Sequence, residues 1–146
     1  MNRLVGSAML AAGFLLVGNA LARDEQKMYP LGDALNASSA REMIDPKIRL
    51  YFGNQKHPEV AKDLGEWRTN KKTNGFNKSD KDACEWAFLS AVLELQERAG
   101  KEGGNAVIGI ASNYKNIERS SDSEYMCGSG ALVSGVAFKG RVVQLK

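Results

Sequence analysis

The clearest hydrophobic pattern in the chain lies between Ser79 and Gly100 and predicts a long amphipathic helix. Apolar residues recur there at steps of three and four, which places their side chains on one face of a helix. Ser79 is a favourable N-cap, and the helix dipole favours the negative charges of Asp80 and Asp82 in the first turn. The predicted buried face consists of Cys84, Phe88, Ala91, Val92, Leu95 and Ala99.

A second apolar stripe on the same helix widens its hydrophobic arc. It consists of Trp86, Leu89 and Leu93. A helix deeply embedded under the N-terminal segment would explain this stripe. A surface that contacts a partner protein or a second copy of the chain is the alternative interpretation, and the sequence leaves it open.

Strand patterns flank the helix on both sides. Residues 47–52 alternate polar and apolar side chains, and a second strand is expected within residues 60–69, before a polar, turn-rich loop at residues 70–78. Residues 105–114 contain the short β-branched run of a buried strand. Residues 125–138 are predicted as one long strand, whose many small residues indicate a bulge or the close approach of a helix.

The order of these elements predicts the fold class. Residues 23–44 form an N-terminal arm and a short helix, which ends at Asp45-Pro46 because proline disfavours the helical conformation of the residue before it. Residues 45–146 form a single domain, in which residues 141–145 add a short terminal strand. We therefore predict an α+β fold, with one long helix packed on one face of an antiparallel sheet in the order β-β-α-β-β.

The first 22 residues have the three parts of a cleavable signal peptide. Asn2-Arg3 supply a positive charge, residues 4–17 are apolar and uncharged, and Ala20-Leu21-Ala22 is an A-x-A cleavage site. The apolar run has about 14 residues, whereas a membrane-crossing helix needs about 20. We expect cleavage after Ala22, a periplasmic or secreted product and no membrane span after cleavage; a retained N-terminal anchor is the alternative.

The interpretation of the two cysteines, Cys84 and Cys127, depends on this export signal. In an exported protein, two cysteines most simply form one intramolecular disulfide. Two free thiols or a bridge between subunits are the alternatives. Cys84 lies on the core face of the predicted helix and Cys127 near the start of a predicted strand, so a bond between them would clamp the helix to the sheet.

The charge distribution excludes some classes of partner. The chain has 20 Lys and Arg residues against 17 Asp and Glu residues, and both signs are interspersed along its length. This balance gives no reason to expect nucleic acid or an anionic membrane as a partner.

No catalytic motif is present in the sequence. The chain contains no G-x-x-x-x-G-K-[ST] segment that would cradle a phosphate, and Gly128-Ser129-Gly130 is shorter than a G-x-S-x-G nucleophile elbow. The only histidine, His57, is expected on a solvated loop. We therefore predict neither enzymatic activity nor a cofactor.

Metal and anion sites have only weak support. A zinc site requires three or four Cys or His ligands, which this chain does not offer. Asp80, Asp82 and Glu85 could offer oxygens to calcium or magnesium, but acids at a helix N-terminus are the simpler interpretation. The lysines around the start of the helix indicate a solvated basic loop more readily than an anion site; they are Lys71, Lys72, Lys78 and Lys81.

Four segments carry a resemblance to known families: residues 47–52, 63–66, 104–110 and 125–132. Together they resemble small exported proteobacterial proteins that bear the label "excinuclease ATPase subunit" and, more distantly, the core of the Rcs stress-sensing lipoprotein. Residues 104–110 are also similar to a family of small α/β proteins named for heavy-metal binding. The resemblance implies the fold rather than those functions, because the sequence contains no Walker motif, lipid-accepting cysteine or Cys/His cluster.

These observations predict a non-catalytic exported module that acts through protein contacts in the cell envelope. Its partner would be an envelope protein or a second copy of the chain. The expected contact residues are Trp86, Leu89, Leu93, Lys71, Lys72 and Lys78. The alternative is a periplasmic protein that binds a small ligand between helix and sheet, or a metal ion at the acids near Asp80.

Overall fold

The computed structural model describes residues 23–146, so the predicted signal peptide at residues 1–22 lies outside the described residues. The described chain forms three α-helices, one short 3-10 turn and a sheet of six strands. In chain order, the elements are β1 (Glu25–Pro30), α1 (Leu31–Asn36), α2 (Ser38–Met43), β2 (Arg49–Phe52), β3 (Val60–Asn74), α3 (Asp80–Lys101), β4 (Ala106–Ser112), the 3-10 turn (Tyr114–Asn116), β5 (Glu124–Ser129) and β6 (Val133–Leu145).

The central strand of the curled sheet is β6. One of its edges pairs with β3 over the whole length of both strands, from Val133 opposite Asn74 to Leu145 opposite Val60. Its other edge pairs first with β5 and then with β4. Outside these strands, β1 pairs with β5 and β2 pairs with β4.

The expectation of a purely antiparallel sheet is wrong at one pair of strands, because β2 runs parallel to β4. A parallel pair needs a long crossover connection, which β3 and α3 provide here. Residues 23–29, predicted as an arm, contribute most of β1 because their backbone pairs with β5. The result is a mixed α/β structure with one long helix.

The strand boundaries also differ from the prediction. The turn at residues 130–132 divides the single strand predicted at residues 125–138 into β5 and β6, and β6 continues to Leu145. The strand β3 extends to Asn74, so it includes residues 70–74, which were predicted as part of a loop. Residues 31–44, predicted as one short helix, form α1 and α2, which are separated at Ala37.

The long helix α3 begins at the predicted N-cap. The Ser79 hydroxyl accepts a hydrogen bond of 3.1 Å from the backbone N–H of Asp82. The ring of Phe88 packs at the centre of the core, with its centroid 4.6 Å from that of Tyr125 and 5.7 Å from that of Phe138. Burial of these rings against the sheet is the main force that holds α3 in place.

The structure places Cys84 and Cys127 at disulfide distance, with their Cα atoms 5.9 Å apart. Both residues are fully buried. The bond links the first turns of α3 to β5, so it fixes the N-terminal part of the helix against the sheet.

A buried glutamine fixes the connection between α2 and β2. Gln96 of α3 accepts a hydrogen bond from the backbone N–H of Asp45 and donates to the carbonyl oxygens of Asp45 and Ile48, at 3.0, 2.9 and 2.6 Å. These backbone groups have no neighbouring strand to pair with, so the Gln96 side chain supplies their hydrogen-bond partner.

The small residues of the predicted strand 125–138 indicated a bulge or the close approach of a helix. The element that approaches closely is the 3-10 turn rather than the long helix. A Cβ atom at Gly128 would lie 2.1 Å from Cζ of Tyr114, whose ring covers this point of β5. Gly128 therefore has no room for a side chain.

None of the helices between residues 23 and 146 combines the length and apolarity needed to cross a membrane.

Candidate functional site: the groove between β3 and α3

The strand β3 has a free edge. Within residues 23–146, β3 pairs with β6 alone, and its other edge has no strand partner. Residues 66–74 are opposite residues 141–133 without a register shift, whereas the pairing is irregular between Asp63 and Glu66. An antiparallel strand directs alternate backbone N–H and C=O groups to each side, so this edge presents a regular row of unused hydrogen-bonding groups.

A groove of about 500 Å³ lies between β3 and α3. Two contacts cross it. The guanidinium of Arg98 lies 4.3 Å from the ring centre of Trp67, and Lys71 forms an ion pair with Glu94. These contacts hold the helix and the strand beside each other and leave an open channel along the strand.

Two buried polar atoms in this groove have no hydrogen-bond partner among the described residues. They are Nε1 of Trp67 and Oγ1 of Thr69, and both residues line the groove. The residue Thr69 is only 5% exposed. A buried donor without an acceptor costs on the order of 1–3 kcal/mol, so these two atoms are points of local instability in the wall of the groove.

Basic side chains outnumber acidic ones around the groove. Glu94 and Glu97 are the acidic residues that line it, and each pairs with a lysine. The basic residues of the lining are Arg68, Lys71, Lys72, Arg98 and Lys101. Arg68 and Arg98 pair with Glu66 and Glu102 outside the lining. Lys72 is therefore the basic residue of the lining without a salt bridge in the described chain, and it favours a ligand or a peptide segment that carries a carboxylate.

The structure divides the contact residues predicted from the sequence between two places. Lys71, Lys72 and Leu93 line the groove. Lys78, Trp86 and Leu89 line a separate recess of about 230 Å³ between α3 and the α1–α2 region.

The prediction that Leu89 belongs to an exposed surface is wrong. The side chain of Leu89 is 3% exposed and belongs to the hydrophobic core that includes Ala34 and Ala40. For Leu89, the covered-helix interpretation is therefore correct. Trp86 remains 44% exposed, and Leu93 is half-buried at the groove.

Of the three acidic residues near the start of α3, Asp80 and Glu85 have basic partners, whereas Asp82 forms no salt bridge within residues 23–146. Asp80 pairs with Arg23, and Glu85 pairs with Lys81. Within residues 23–146, no group of three or more His, Cys, Asp or Glu side chains is arranged to hold a metal ion. His57 is exposed, and its Nδ1 lies 2.7 Å from the carbonyl oxygen of Pro58.

Sequence reasoning missed Trp67, Thr69 and Arg98 as residues of the site. The first two share a face of β3 with Lys71 because alternate strand residues point the same way. That alternation is a detectable signal, but the partner Arg98 lies on α3 and only the fold brings it to the strand.

No protein-family model and no curated protein sequence matches this chain. The function of the groove is therefore inferred from its geometry and chemistry.

Proposed function

We propose that the protein is a non-catalytic exported module that binds an extended segment of a partner protein along β3. The observation that carries this proposal is the unpaired edge of β3 beside the groove. Addition of a strand to a sheet edge is a common mode of peptide recognition, in which main-chain hydrogen bonds provide affinity and adjacent pockets provide specificity.

Residues 66–74 are the part of β3 suited to this role. Their register with β6 is regular, so their free groups have the spacing that another strand requires. The irregular segment between Asp63 and Glu66, where Gly65 has a φ of +104°, interrupts the edge. This interruption limits the length of the partner strand and restricts indiscriminate pairing of edges.

The groove supplies the specificity. A partner side chain that enters it meets Trp67, Leu93 and the apolar stem of Arg98. A carboxylate on the partner would be attracted to Lys72, which is exposed and forms no salt bridge within residues 23–146. An extended, acidic segment with one large apolar residue fits these features together.

The proposed location is the cell envelope. The signal-peptide pattern of residues 1–22 supports export, and the buried Cys84–Cys127 pair is compatible with an oxidising compartment. An envelope protein is therefore the proposed source of the partner segment.

Site-specific photocrosslinking in living cells tests this proposal. A photoreactive phenylalanine analogue at Asn70, on the free edge, is expected to give a discrete adduct with another protein. The analogue at Ile117, which is 52% exposed and lies outside the groove lining, is the matched control and is expected to give none. Ser90→Trp, which fills the groove, should abolish the Asn70 adduct, whereas Glu118→Trp should not.

Three outcomes would change the proposal. Equal adducts from Asn70 and Ile117 would contradict a specific site. An adduct with the mass of two copies of this chain would identify the partner as a second copy. Loss of protein adducts together with stoichiometric binding of a small carboxylate in the groove would favour the alternative, a small-ligand binding protein.

A further inference from the structure

Three exposed apolar side chains meet at one end of the sheet. Phe76, Leu132 and Val133 are 62%, 60% and 45% exposed, and they line one recess together with Lys72. Phe76 lies in the turn after β3, and Leu132 lies in the turn before β6. A backbone hydrogen bond of 2.7 Å from Gly75 to Leu132 ties the two turns together. We call Phe76, Leu132 and Val133 the β3–β6 tip.

Exposure of a cluster of apolar side chains to water is energetically unfavourable unless a partner covers the cluster. Single exposed apolar residues are ordinary on protein surfaces, but contiguous ones mark contact sites. The other large apolar side chains that are well exposed within residues 23–146 are Met43, Trp86 and Ile117. None of these three lines the recess of the tip, so the tip is a distinct concentration of apolar surface.

The charges around the tip are positive. Residues 67–79 and 125–138, which build this end of the sheet, contain four basic residues and no Asp or Glu. Among them, Lys72 and Lys78 form no salt bridge with any residue of the described chain. The tip therefore combines exposed apolar side chains with one unpaired lysine in its recess, Lys72, and a second unpaired lysine, Lys78, two positions after Phe76 in the chain.

Acidic residues near Lys78 offset part of this charge, since Asp82 lines a recess together with Lys78 and forms no salt bridge within residues 23–146. Asp80 and Glu25 both pair with Arg23, and Asp24 pairs with Lys115. In the recess of the tip itself the charged residue is Lys72, which forms no salt bridge in the described chain.

Arg23, the first described residue, lies beside the tip. A hydrogen bond of 3.4 Å joins Nη1 of Arg23 to the carbonyl oxygen of Gly130, in the turn that carries Leu132. The turn that carries Leu132 is therefore in contact with the first described residue of the chain.

We propose that the β3–β6 tip is a membrane-contact surface that binds anionic lipid. Phe76 and Leu132 insert among the lipids at the interface, and Lys72 and Lys78 lie at the level of the headgroups. Apolar side chains combined with basic residues are the features that bind proteins to anionic bilayers. This surface is separate from the groove apart from the shared Lys72.

Vesicle co-sedimentation of the exported protein, isolated after expression of the full chain, tests the proposal. Vesicles of phosphatidylcholine with added phosphatidylglycerol are expected to bind the protein, and vesicles of phosphatidylcholine alone to bind it weakly. Binding should weaken with added salt. The variant Lys78→Gln, which leaves the groove lining unchanged, should reduce partition about fivefold.

The double variant Phe76→Ser, Leu132→Ser is expected to reduce partition into the anionic vesicles by about tenfold or more. The matched control is Met43→Ser, Ile117→Ser, which removes two apolar side chains that are 53% and 52% exposed elsewhere on the molecule. Thermal melts of both variants should match the parent, because all four side chains are exposed.

Several results would overturn the proposal. These are absence of binding to anionic vesicles, equal losses in the tip and control variants, or a concentration-dependent dimer that the tip variant abolishes. The last result would assign the tip to a second copy of the chain. None of these results bears on the groove, whose test is crosslinking from Asn70.

Discussion

The guanidinium of Arg98 lies 4.3 Å from the ring centre of Trp67, across the groove between α3 and β3. One turn earlier on the helix, Glu94 pairs with Lys71, which lies four residues after Trp67 on the strand. The helix and this part of the strand therefore run in opposite directions, with the unpartnered hydroxyl of Thr69 between the two contacts.

Replacement of Arg98 by methionine tests the first of these contacts. Arg98→Met keeps much of the apolar stem but removes the cation over the ring, so we expect a loss of about 0.5–1 kcal/mol in the free energy of unfolding. Lys101→Met, which removes only an exposed pair with Glu97, should cost no more than about 0.5 kcal/mol. Urea unfolding measures both, and equal losses would show that the ring contact adds nothing.

Removal of the disulfide should destabilise the fold strongly. Cys84 and Cys127 are 43 positions apart, and a closed loop of that length corresponds to about 4 kcal/mol in the chain-entropy model. We expect Cys84→Ala, Cys127→Ala to lower the melting temperature by many degrees. Because both sulfurs are buried, reductant should act on the parent only as it unfolds; rapid reduction of the folded protein would contradict this.

A side chain at Gly128 should collide with Tyr114. Gly128→Ala places Cβ about where the ring lies, and overpacking of this kind costs about 1–3 kcal/mol. In the background Tyr114→Ala the same change should cost far less, which a double-mutant cycle measures. Gly32→Ala is the control: nothing lies within 4 Å of the added atom, and alanine is the better residue in a helix.

The hydroxyl of Tyr125 is buried without a hydrogen-bond partner among the described residues. Tyr125→Phe should therefore leave stability unchanged or raise it by about 1 kcal/mol, because it removes an unsatisfied group and keeps the ring against Phe88. A clear loss of stability by calorimetry would indicate that the hydroxyl is engaged.

The same tyrosine should make stability depend on alkaline pH. Burial raises the pKa of Tyr125 far above its ordinary value, so the unfolded chain loses this proton first. The contribution of Tyr125 to the free energy of unfolding is fully present below the unfolded pKa of about 10, and it is lost as the pH rises further. The decline should be weaker in Tyr125→Phe than in the parent, and equal declines in the two proteins would contradict this.

The elements that sequence reasoning predicted well are those whose signal is local. The helix α3 was predictable because its cap at Ser79 and its apolar spacing lie in one continuous segment. The pairing of Cys84 with Cys127 was predictable because only two cysteines exist and both fall on core positions.

The elements that sequence reasoning missed depend on distant partners. The strand β1 and the last residues of β3 are polar, and they are strands because β5 and β6 supply their hydrogen bonds. Nothing local indicates that β2 lies parallel to β4. The groove was missed for the same reason, because Trp67 and Arg98 belong to different elements.

The central claim is that β3 accepts another strand along its free edge. Its most direct test is hydrogen exchange of the β3 amides, measured with and without a peptide selected against the protein from a random library. We predict that alternate amides within residues 66–74 become protected, and that Ser90→Trp removes both binding and protection. Tight binding of the selected peptides with unchanged exchange throughout residues 66–74 would contradict the claim.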